Sequence, residues 1–426
     1  MQEVHTILKS QGCWVTLQGD NAAPRSGAAM KELSCIENAA CAIVDGKIAG
    51  IGGVAEIEAA FVAPTIIDLG QSTVLPGFID PHTHPVFRAT REMEFEMRNQ
   101  GHSYVDIAKA GGGIRSTVRD LRDATEDELT VLLEKRARDF LALGTTTIEA
   151  KSGYGLSLES ELKSLRAIER INASSPLDLH ATFLGAHEIP DEYRKDRDGY
   201  IDLIINEMLP AVSNESLAEW CDVFCEDHVF TVKESRRILL AARDLGMRAR
   251  LHADEIVSTG GAELAAEVGA ITADHLVAVS DEGIARLKEA GVIPVLLPGT
   301  SFYLNLPDHA PGRRMIDNGL PIALATDFNP GSCHTQSMPM IMTLACLSYG
   351  MTTAECLTAA CVNNAWAIGR QDSIGRLETG LDADIIALDL ENPQQLPYHF
   401  GSNHVSFVMK QGNVLHNPAR TGALDS

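Results

Sequence analysis

The sequence is short of positive charge. It has 35 Lys and Arg residues against 58 Asp and Glu residues, which gives a formal net charge of -23 over 426 residues. Binding to nucleic acid or to an anionic membrane surface depends on clustered cations, so this balance argues against both kinds of partner. The hydrophobic fraction of 45% and the charged fraction of 22% are those of an ordinary globular protein.

Long apolar runs and targeting features are also missing. No apolar run approaches the ~20 residues that a membrane-spanning helix needs. The first twenty residues lack the basic, apolar and small-residue pattern of a signal peptide. The nine cysteines are odd in number, and Cys221 and Cys225 have the wrong spacing for a C-x-x-C motif. We therefore expect buried free thiols and a cytoplasmic protein.

A repeating strand and helix pattern begins at about residue 73. Eight apolar runs alternate with amphipathic stretches: "TVLPGFID", "TTTIEA", "LDLHATFLG", "DVFCE", "MRARLHA", "AITADHL", "VIPVLLP" and "LPIALATD". In one helical stretch Thr125 and Glu128 form a capping box and Gly144 ends the helix. Its expected apolar stripe is Leu129, Leu132, Leu133, Ala137 and Phe140. The pattern predicts a closed (β/α)₈ TIM-like barrel over residues 73–372, with a doubly wound open sheet as the alternative.

The two flanks have a different character. Residues 1–72 contain "CAIVDGKIAGIGG", in which "DGK" is a hairpin signal, and residues 373–426 contain "ADIIALD" and "HVSFVMKQGNVLHN". Neither flank is long enough to form a stable domain of its own. We expect the two chain termini to form one small β-sandwich domain beside the barrel.

Two histidines stand one residue apart in "PGFIDPHTHPVF", directly after an apolar strand. Side chains at positions i and i+2 of a strand share a face, so His82 and His84 are able to bind one cation at Zn–N distances of ~2.0–2.1 Å. Taken alone, the pair is equally well explained as polar residues that end a strand. Other polar residues decide the matter.

Further polar residues follow other strands of the pattern, namely His187, His252, His275 and Asp327. All lie at or just past the carboxyl ends of strands, where barrel enzymes build their active sites, and this favours the barrel over the open sheet. Three histidines and one aspartate make a mononuclear metal site with room for a water, whose pKa a bound Zn²⁺ lowers to ~7. Glu255 lies three residues beyond His252, within reach of such a water.

Several longer motifs carry a family resemblance. "PGFIDPHTH", "GGGIRSTVRD", "KSGYGL", "TFLGAHEIP", "LHADEI", "ADHL", "VLLPGTSFYL" and "LATDFNPGS" resemble the imidazolonepropionase family of the amidohydrolase superfamily, over about residues 73 to 410. The resemblance implies a metal-dependent hydrolase of histidine degradation. Its substrate is 4-imidazolone-5-propanoate, and its product, N-formimidoyl-L-glutamate, forms when a metal-bound hydroxide attacks the lactam carbonyl.

The resemblance also implies roles for individual residues. The metal ligands are His82, His84, His252 and Asp327, which hold one divalent or trivalent ion, zinc or iron. Catalysis falls to Glu255 as general base and acid, to His275 beside the attacking oxygen, and to His187, which polarises the substrate carbonyl. The substrate contacts are Arg91, Tyr154, His187, Glu255, Asn329, Gly331 and Ser332. Arg91 provides the guanidinium fork that a propionate carboxylate calls for.

Some alternatives stay open at this point. The stretch "VFRATRE" lacks the two glycines usual in the family's substrate loop, so Arg88 competes with Arg91 as the carboxylate-binding arginine. Lys151 is interpreted as structural or as a neighbour of the ligands. The rival functions are another cyclic amidohydrolase or aminohydrolase of the superfamily and, more remotely, an inactive barrel that binds a partner. A homodimer is expected from the resemblance.

Overall fold

A computed structural model describes residues 1–416 of the chain, so the last ten residues of the predicted segment 373–426 lie outside the described part. The strands, in chain order, are β1 (Gln2–Glu3), β2 (Thr6–Val15), β3 (Cys35–Val44), β4 (Lys47–Gly53), β5 (Phe61–Val62), β6 (Thr65–Asp68), β7 (Thr73–Pro76), β8 (Phe78–Asp80), β9 (Thr145–Lys151), β10 (Asp178–Ala186), β11 (Trp220–Cys225), β12 (Arg248–Ala253), β13 (Thr272–His275), β14 (Ile293–Leu296), β15 (Ala323–Leu324), β16 (Ile385–Leu388), β17 (Val405–Lys410) and β18 (Asn413–His416).

The α-helices follow the same order. They are α1 (Val54–Ala60), α2 (Glu92–Asn99), α3 (Tyr104–Lys109), α4 (Ile114–Asp123), α5 (Glu126–Ala142), α6 (Leu158–Ser174), α7 (Arg197–Leu203), α8 (Leu209–Asn214), α9 (Val232–Asp244), α10 (Gly261–Val268), α11 (Asp281–Ala290), α12 (Pro298–Tyr303), α13 (Gly312–Asp317), α14 (Met338–Tyr349), α15 (Thr353–Thr358), α16 (Asn364–Ala367) and α17 (Gln395–Tyr398). Two five-residue π-helical segments occupy Ile204–Met208 and Ala359–Asn363, and short 3₁₀ helices occupy Gly27–Lys31 and Asp191–Tyr193.

Strands β8 to β15 pair in sequential order, and every pair is parallel. A parallel bridge between Thr83 and Phe328 joins the segments after β8 and β15 and closes the ring. The eight apolar runs of the sequence all contribute to these strands, and the prediction of a (β/α)₈ barrel is confirmed. Every residue of β9 is buried, as expected for a strand with helices outside and packed side chains inside.

The seam between the first and last barrel strands has little backbone pairing of its own. The side chain of Asn364 bridges it, because its Nδ2 donates to the carbonyls of Ile79 (2.6 Å) and Leu324 (2.7 Å). Its Oδ1 accepts the Leu324 N–H at 3.1 Å. Just above, the Asp80 carboxylate accepts the backbone N–H and the hydroxyl of Thr326. These contacts hold the segment with His82 and His84 beside the segment with Asp327.

The second sheet combines both ends of the chain in the order β18-β17-β16-β7-β2-β3-β4, with β6 alongside β2. The predicted "DGK" hairpin joins β3 to β4, and both turn residues, Asp45 and Gly46, have positive φ, as a type I′ turn requires. The run "TVLPGFID" divides at Gly77, since β7 pairs with β16 of this sheet while β8 begins the barrel. We therefore propose that the barrel begins at Gly77 and not at residue 73.

Helix α5 shows how the sequence directs packing. The capping box of Thr125 and Glu128 is present, and Leu129, Leu133, Ala137 and Phe140 are buried, whereas Leu132 is only half-buried. The buried position that the apolar pattern missed is Arg136, whose Nη1 donates to the carbonyls of Pro85 and Phe87. That guanidinium fixes the chain directly after His84. Within residues 1–416, no helix has the length and apolar character to cross a lipid bilayer.

Candidate active site

A cavity of about 630 Å³ opens at the carboxyl ends of the barrel strands. Its wall includes most of the predicted site residues: His84, Arg91, Tyr154, His187, His252, Glu255, His275, Asp327, Asn329, Gly331 and Ser332. His82 lies beneath them and is fully buried. Arg88 does not line the cavity and is 42% exposed beside Glu128. The structure thus places Arg91, and not Arg88, at the site.

Four potential ligand side chains converge at the base of the cavity. The Nε2 atoms of His82 and His84 are 3.3 Å apart, and those of His84 and His252 are 3.4 Å apart. One carboxylate oxygen of Asp327 lies 3.6 Å from His82 Nε2 and 3.5 Å from His84 Nε2. Ligands at ~2.0–2.1 Å from a tetrahedral ion are themselves ~3.3–3.4 Å apart, so these four separations are close to those around one such ion. Two groups of donor atoms in the described residues are able to hold a metal: His82, His84 and His252, and His82, His275 and Asp327.

Carboxylates behind two of the histidines, one hydrogen-bonded and one in an ion pair, support the same interpretation. His82 Nδ1 lies 2.6 Å from an oxygen of Asp274, and His252 Nδ1 lies 3.0 Å from an oxygen of Asp222. A carboxylate at Nδ1 holds the proton there and leaves the Nε2 lone pair facing the centre of the cluster. Burial lowers the pKa of His82 and of His84 well below the usual range, so both rings offer lone pairs at neutral pH. The residues present therefore suit a metal ion.

Lys151 lies behind this cluster and is fully buried. Its Nζ is 2.8 Å from Glu149 Oε1 and 2.9 Å from Asp222 Oδ2. Both carboxylates are also fully buried, so the ammonium balances negative charge under the ligands. This agrees with the structural role expected of Lys151, and it fixes the carboxylate that orients His252.

Glu255 lies above the ligands with its side chain 17% exposed. Its Oε1 is 3.5 Å from His275 Nδ1. Burial raises the pKa of Glu255 to about 8, and the negative charge of Asp327 adds to the rise. A cation in the cluster would oppose both effects, so this carboxyl is suited to exchange protons near neutral pH once the site is loaded.

Two buried carboxylates hold the loop that carries Glu255. Asp254, which has a φ of 49°, accepts the N–H groups of Gly261 and Ala262 at the start of α10. Glu226 accepts the N–H of Ile256 at 2.9 Å, directly after Glu255. The position of the Glu255 backbone is therefore fixed from both sides.

Arg91 caps α2 and projects into the cavity beside Gly331. A Cβ atom on Gly331 would lie 1.1 Å from Arg91 Nη2, so only glycine leaves room for the guanidinium. The Arg91 Nε is buried and has no hydrogen-bond partner among the described residues. Its nearest carboxylate there is that of Glu94, 3.8 Å from Nη1. An arginine that lines a cavity and carries a buried, unpaired N–H group indicates an anionic ligand.

Tyr154 and His187 also line the cavity, with ring centroids 5.2 Å apart. The Nδ1–H of His187 donates to the carbonyl of Gly153 at 2.9 Å, because a carbonyl only accepts. Burial, aided by the nearby His252, lowers the pKa of His187 to about 3, so the ring carries a single proton. Its Nε2 is then a hydrogen-bond acceptor. The predicted role of His187, polarising the substrate carbonyl, needs a donor at Nε2 and is not supported by this geometry.

Asn329 shapes the loop after β15. Its Oδ1 accepts the N–H groups of Gly331 and Ser332, each at 2.8 Å. Its Nδ2 donates to the Asp327 carbonyl (2.7 Å) and to the Ser332 hydroxyl oxygen (2.8 Å). All four hydrogen-bonding positions of the amide are thus used within the loop. The Ser332 O–H is the part of this loop left to face a ligand.

The sequence reasoning overlooked several residues of the site. Asp222 and Asp274 contact the proposed ligands His252 and His82, and Arg98 and His228 line the cavity. A charged residue inside an apolar strand run, as in "CDVFCE", was the available signal for Asp222. Arg98 follows Arg91 by seven residues, which is the spacing of one helix face.

The comparisons with known proteins agree with this geometry. The Amidohydrolase family model matches residues 73–416. Imidazolonepropionase of Alkaliphilus metalliredigens is 48% identical over 419 residues, covering 98% of this chain and 99% of the relative. The chain belongs to the imidazolonepropionase family of amidohydrolases. Imidazolonepropionase of Geobacillus kaustophilus is also 48% identical, over 95% of this chain and 96% of the relative.

Solved structures support the fold of this imidazolonepropionase family member. A zinc-bound adenosine deaminase from Xanthomonas campestris superposes with a TM-score of 0.71 at 17% identity, covering 98% of this chain and 94% of that one. An atrazine chlorohydrolase mutant from Arthrobacter aurescens, complexed with zinc, gives 0.72 at 17% identity, over 97% of this chain and 95% of that one. Amidohydrolases are metal-dependent enzymes, and this chain has the matching His and Asp cluster.

Proposed function

We propose that this protein hydrolyses 4-imidazolone-5-propanoate to N-formimidoyl-L-glutamate. The observation that carries the proposal is one cavity that joins a metal-binding cluster to a buried arginine with an unpaired N–H. The substrate has both complementary parts, a lactam carbonyl and a propionate carboxylate. The close relatives, all named imidazolonepropionase, support the same conclusion.

The side chains of His82, His84, His252 and Asp327 would hold one metal ion, zinc or iron. Such an ion supplies a Lewis acid that makes water acidic near neutral pH and polarises a carbonyl oxygen. Nitrogen and oxygen donors suit both metals, so the donor set does not choose between them. Thr300 donates its hydroxyl to the second oxygen of Asp327 at 2.6 Å, which leaves the first oxygen for the ion.

Glu255 is the proposed general base and acid. Its carboxylate takes a proton from the attacking water as the new C–O bond forms at the lactam carbon. It then returns that proton to the ring nitrogen as the C–N bond breaks, so the nitrogen leaves as a neutral group. His275, 3.5 Å from the Glu255 carboxylate, holds it in place and lies beside the attacking oxygen.

Arg91 binds the propionate carboxylate in the proposed complex. Arg91 and Tyr154 both line the cavity, and the guanidinium and the phenol hydroxyl provide donors for the carboxylate. Burial raises the pKa of Tyr154, so its hydroxyl keeps its proton and donates it. The Ser332 hydroxyl is a further donor on the Gly331 side.

His187 accepts a hydrogen bond from the substrate in this proposal. Its ring lines the cavity, with the ring centroids of Tyr154 and His84 5.2 Å and 5.1 Å away. The matching substrate group is a ring N–H. This contact orients the lactam carbonyl toward the cluster, and it replaces the polarising role expected from the resemblance.

The reaction is tested by mixing the purified protein with freshly generated 4-imidazolone-5-propanoate and following the product by mass spectrometry. The expected product is one water heavier than the substrate, and it forms only without chelator. Release of ammonia from a ring amine would favour the aminohydrolase alternative. An untouched substrate beside a metal-loaded protein would contradict the proposal.

Location in the cytoplasm and assembly as a homodimer are part of the proposal. All nine cysteines are free, and seven are buried, although Cys35 is exposed, contrary to expectation. Three adjacent helices, α12, α14 and α17, expose large apolar side chains at Phe302, Leu347 and Tyr398, which supports an interface between subunits. Sedimentation analysis should give the mass of two chains, and a single-chain mass would contradict the dimer.

A further inference from the structure

The mouth of the cavity contains a second arginine. Arg98 lies seven residues after Arg91 along α2, so both side chains project from the same face of that helix. Both line the cavity, and both lie beside Gly331: Arg91 fills the space that a Gly331 side chain would need, and Arg98 Nη2 donates to the Gly331 carbonyl at 3.3 Å.

The two guanidinium groups differ in how their charge is balanced. Arg91 has the carboxylate of Glu94 3.8 Å away, whereas no carboxylate among residues 1–416 lies within 4 Å of Arg98. Glu94 is itself occupied, because its Oε1 accepts the Gly113 N–H at 2.8 Å. Arg98 is therefore a positive charge at the cavity mouth without a nearby negative partner, in a chain whose net charge is -23.

Arg98 is also held in a defined position. Its guanidinium carbon lies 6.0 Å from the ring centroid of Phe95 and 5.7 Å from that of Tyr303, which themselves pack 5.1 Å apart. Arginine stacks on aromatic rings in this way while its edge stays free for hydrogen bonds. Only one of its five N–H groups donates to a described residue, the contact with Gly331. The remaining donors are available to a ligand.

We propose that Arg98 forms, with Arg91, a paired guanidinium site for the substrate's side-chain carboxylate. The inference rests on the proposed function, which supplies a propionate as the anion. Arg91 holds the carboxylate from inside the cavity, and Arg98 binds it from the mouth. Arg98 thereby selects substrates that carry a carboxylate and attracts them from solution, an effect that salt screens over a Debye length of ~10 Å at 0.1 M.

The test uses metal-loaded full-length protein and a matched pair of variants. Arg98→Met keeps an apolar stem against Phe95 and Tyr303 and removes the charge. Arg88→Met removes the same charge from an exposed arginine of the neighbouring segment, outside the cavity. We expect KM for 4-imidazolone-5-propanoate to rise about tenfold in Arg98→Met, as for the loss of a half-exposed charged hydrogen bond, with kcat changed less than about twofold.

Salt dependence separates binding from a structural role. In the wild type and in Arg88→Met, kcat/KM should fall with added NaCl, and the slope should be shallower in Arg98→Met because one attracting charge is gone. Arg98→Lys should keep the slope and lose part of the affinity, since lysine has the charge without the fork. Equal KM and equal slopes in Arg98→Met and Arg88→Met would overturn the inference.

Glutarate gives a readout that does not depend on turnover. Its binding to the metal-loaded protein, measured by calorimetry, should weaken about tenfold in Arg98→Met and stay unchanged in Arg88→Met. If the wild type fails to turn over the imidazolone, the proposed reaction is wrong, and the glutarate result still decides the arginine pair. Failure of glutarate to bind, or equal binding by both variants, would contradict the pair even with turnover intact.

Discussion

The two ends of the barrel differ in whether their buried polar and charged groups have partners within the protein. At the amino-terminal end Lys410 of β17 reaches into the barrel, where its Nζ lies 2.5 Å from the buried Asp384 and 2.6 Å from the partly exposed Asp178, so the buried ammonium is paired with carboxylates. At the carboxyl end the histidine nitrogens face one another and the Arg91 Nε has no partner among residues 1–416. The ion-paired group around Lys410, the matched cluster, joins the terminal sheet to the barrel. The group at the carboxyl end, the unmatched cluster of His82, His84, His252 and Asp327 with Arg91 above it, indicates ligands.

The largest expected effect comes from removing a ligand of the unmatched cluster. Mutation of a residue that only hydrogen-bonds a metal ligand weakens metal binding by ~10–100-fold. His252→Ala removes a ligand itself, so metal binding should weaken by more than this and turnover should be lost. The metal content of dialysed protein, measured by atomic spectroscopy, checks this. His399→Ala, an exposed histidine far from the cluster, serves as the control and should keep its metal. A His252→Ala protein with full metal content would contradict a role for His252 as a metal ligand.

Glu255→Gln should have the next largest effect. The amide keeps the shape of the side chain but carries no proton between water and nitrogen, so kcat should fall by about 10²–10⁴-fold. Metal content should stay at the wild-type value, because Glu255 is not among the proposed ligands. Steady-state kinetics and metal analysis on the same preparation test both parts. Activity within a few-fold of the wild type would exclude Glu255 as the base.

Gly331→Ala tests whether Arg91 binds the substrate carboxylate. The added methyl group would occupy the position of the Arg91 guanidinium, 1.1 Å from Nη2, so the arginine must move out of its site. The loss of a charged hydrogen bond to the carboxylate should raise KM by about 10–100-fold, with a smaller effect on kcat. Kinetics over a range of substrate concentrations separates the two constants. An unchanged KM would show that Arg91 does not bind the carboxylate.

Lys410→Met tests the matched end and should leave catalysis alone. Removing one partner of a buried pair leaves the carboxylate of Asp384 uncompensated, which should cost about 3 kcal/mol of unfolding free energy in denaturant titrations. The kcat of the folded variant should equal that of the wild type. A large loss of kcat with unchanged stability would mean that the two ends are coupled.

The same residue gives a pH prediction. Burial alone would lower the pKa of Lys410, but the carboxylates of Asp384 and Asp178 outweigh it and raise the pKa above the usual 10.5. A raised folded-state pKa means that the stability from the ammonium is complete below pH 10.5 and is lost as the pH rises through the folded-state value. Lys410→Met should lose this alkaline dependence, measured as the difference in melting temperature between the two proteins.

Much of the fold could be predicted from the sequence because its signals are local. Alternating apolar runs and helical stretches, the capping box at Thr125 and the "DGK" turn depend on residues close together in the chain. The division of "TVLPGFID" at Gly77 could not be foreseen, because the need for glycine there comes from a distant residue. A Cβ at position 77 would lie 2.4 Å from Oγ1 of Thr146, which belongs to the next barrel strand. Burial of Arg136, in place of an apolar side chain, likewise depends on distant carbonyl groups.

The candidate active site likewise has residues that the sequence could predict and residues that it could not. The residues proposed as ligands stand out as histidines and an aspartate at strand ends, which is a local pattern. Their supports come from other strands: Asp222 contacts His252 from β11, and Asp274 contacts His82 from across the barrel. The acceptor state of His187 depends on the carbonyl of Gly153, 34 residues earlier. Such pairings require the folded barrel, and the sequence alone has no signal for them.

We propose that the cluster of His82, His84, His252 and Asp327 holds one metal ion. Anomalous diffraction from crystals of the purified protein, recorded at the zinc and iron absorption edges, tests it most directly. We predict a single strong peak per chain among the Nε2 atoms of His82, His84 and His252 and the Asp327 carboxylate, and none beside Lys410. A metal-replete protein with its peak elsewhere, or with no peak at this cluster, would contradict the account.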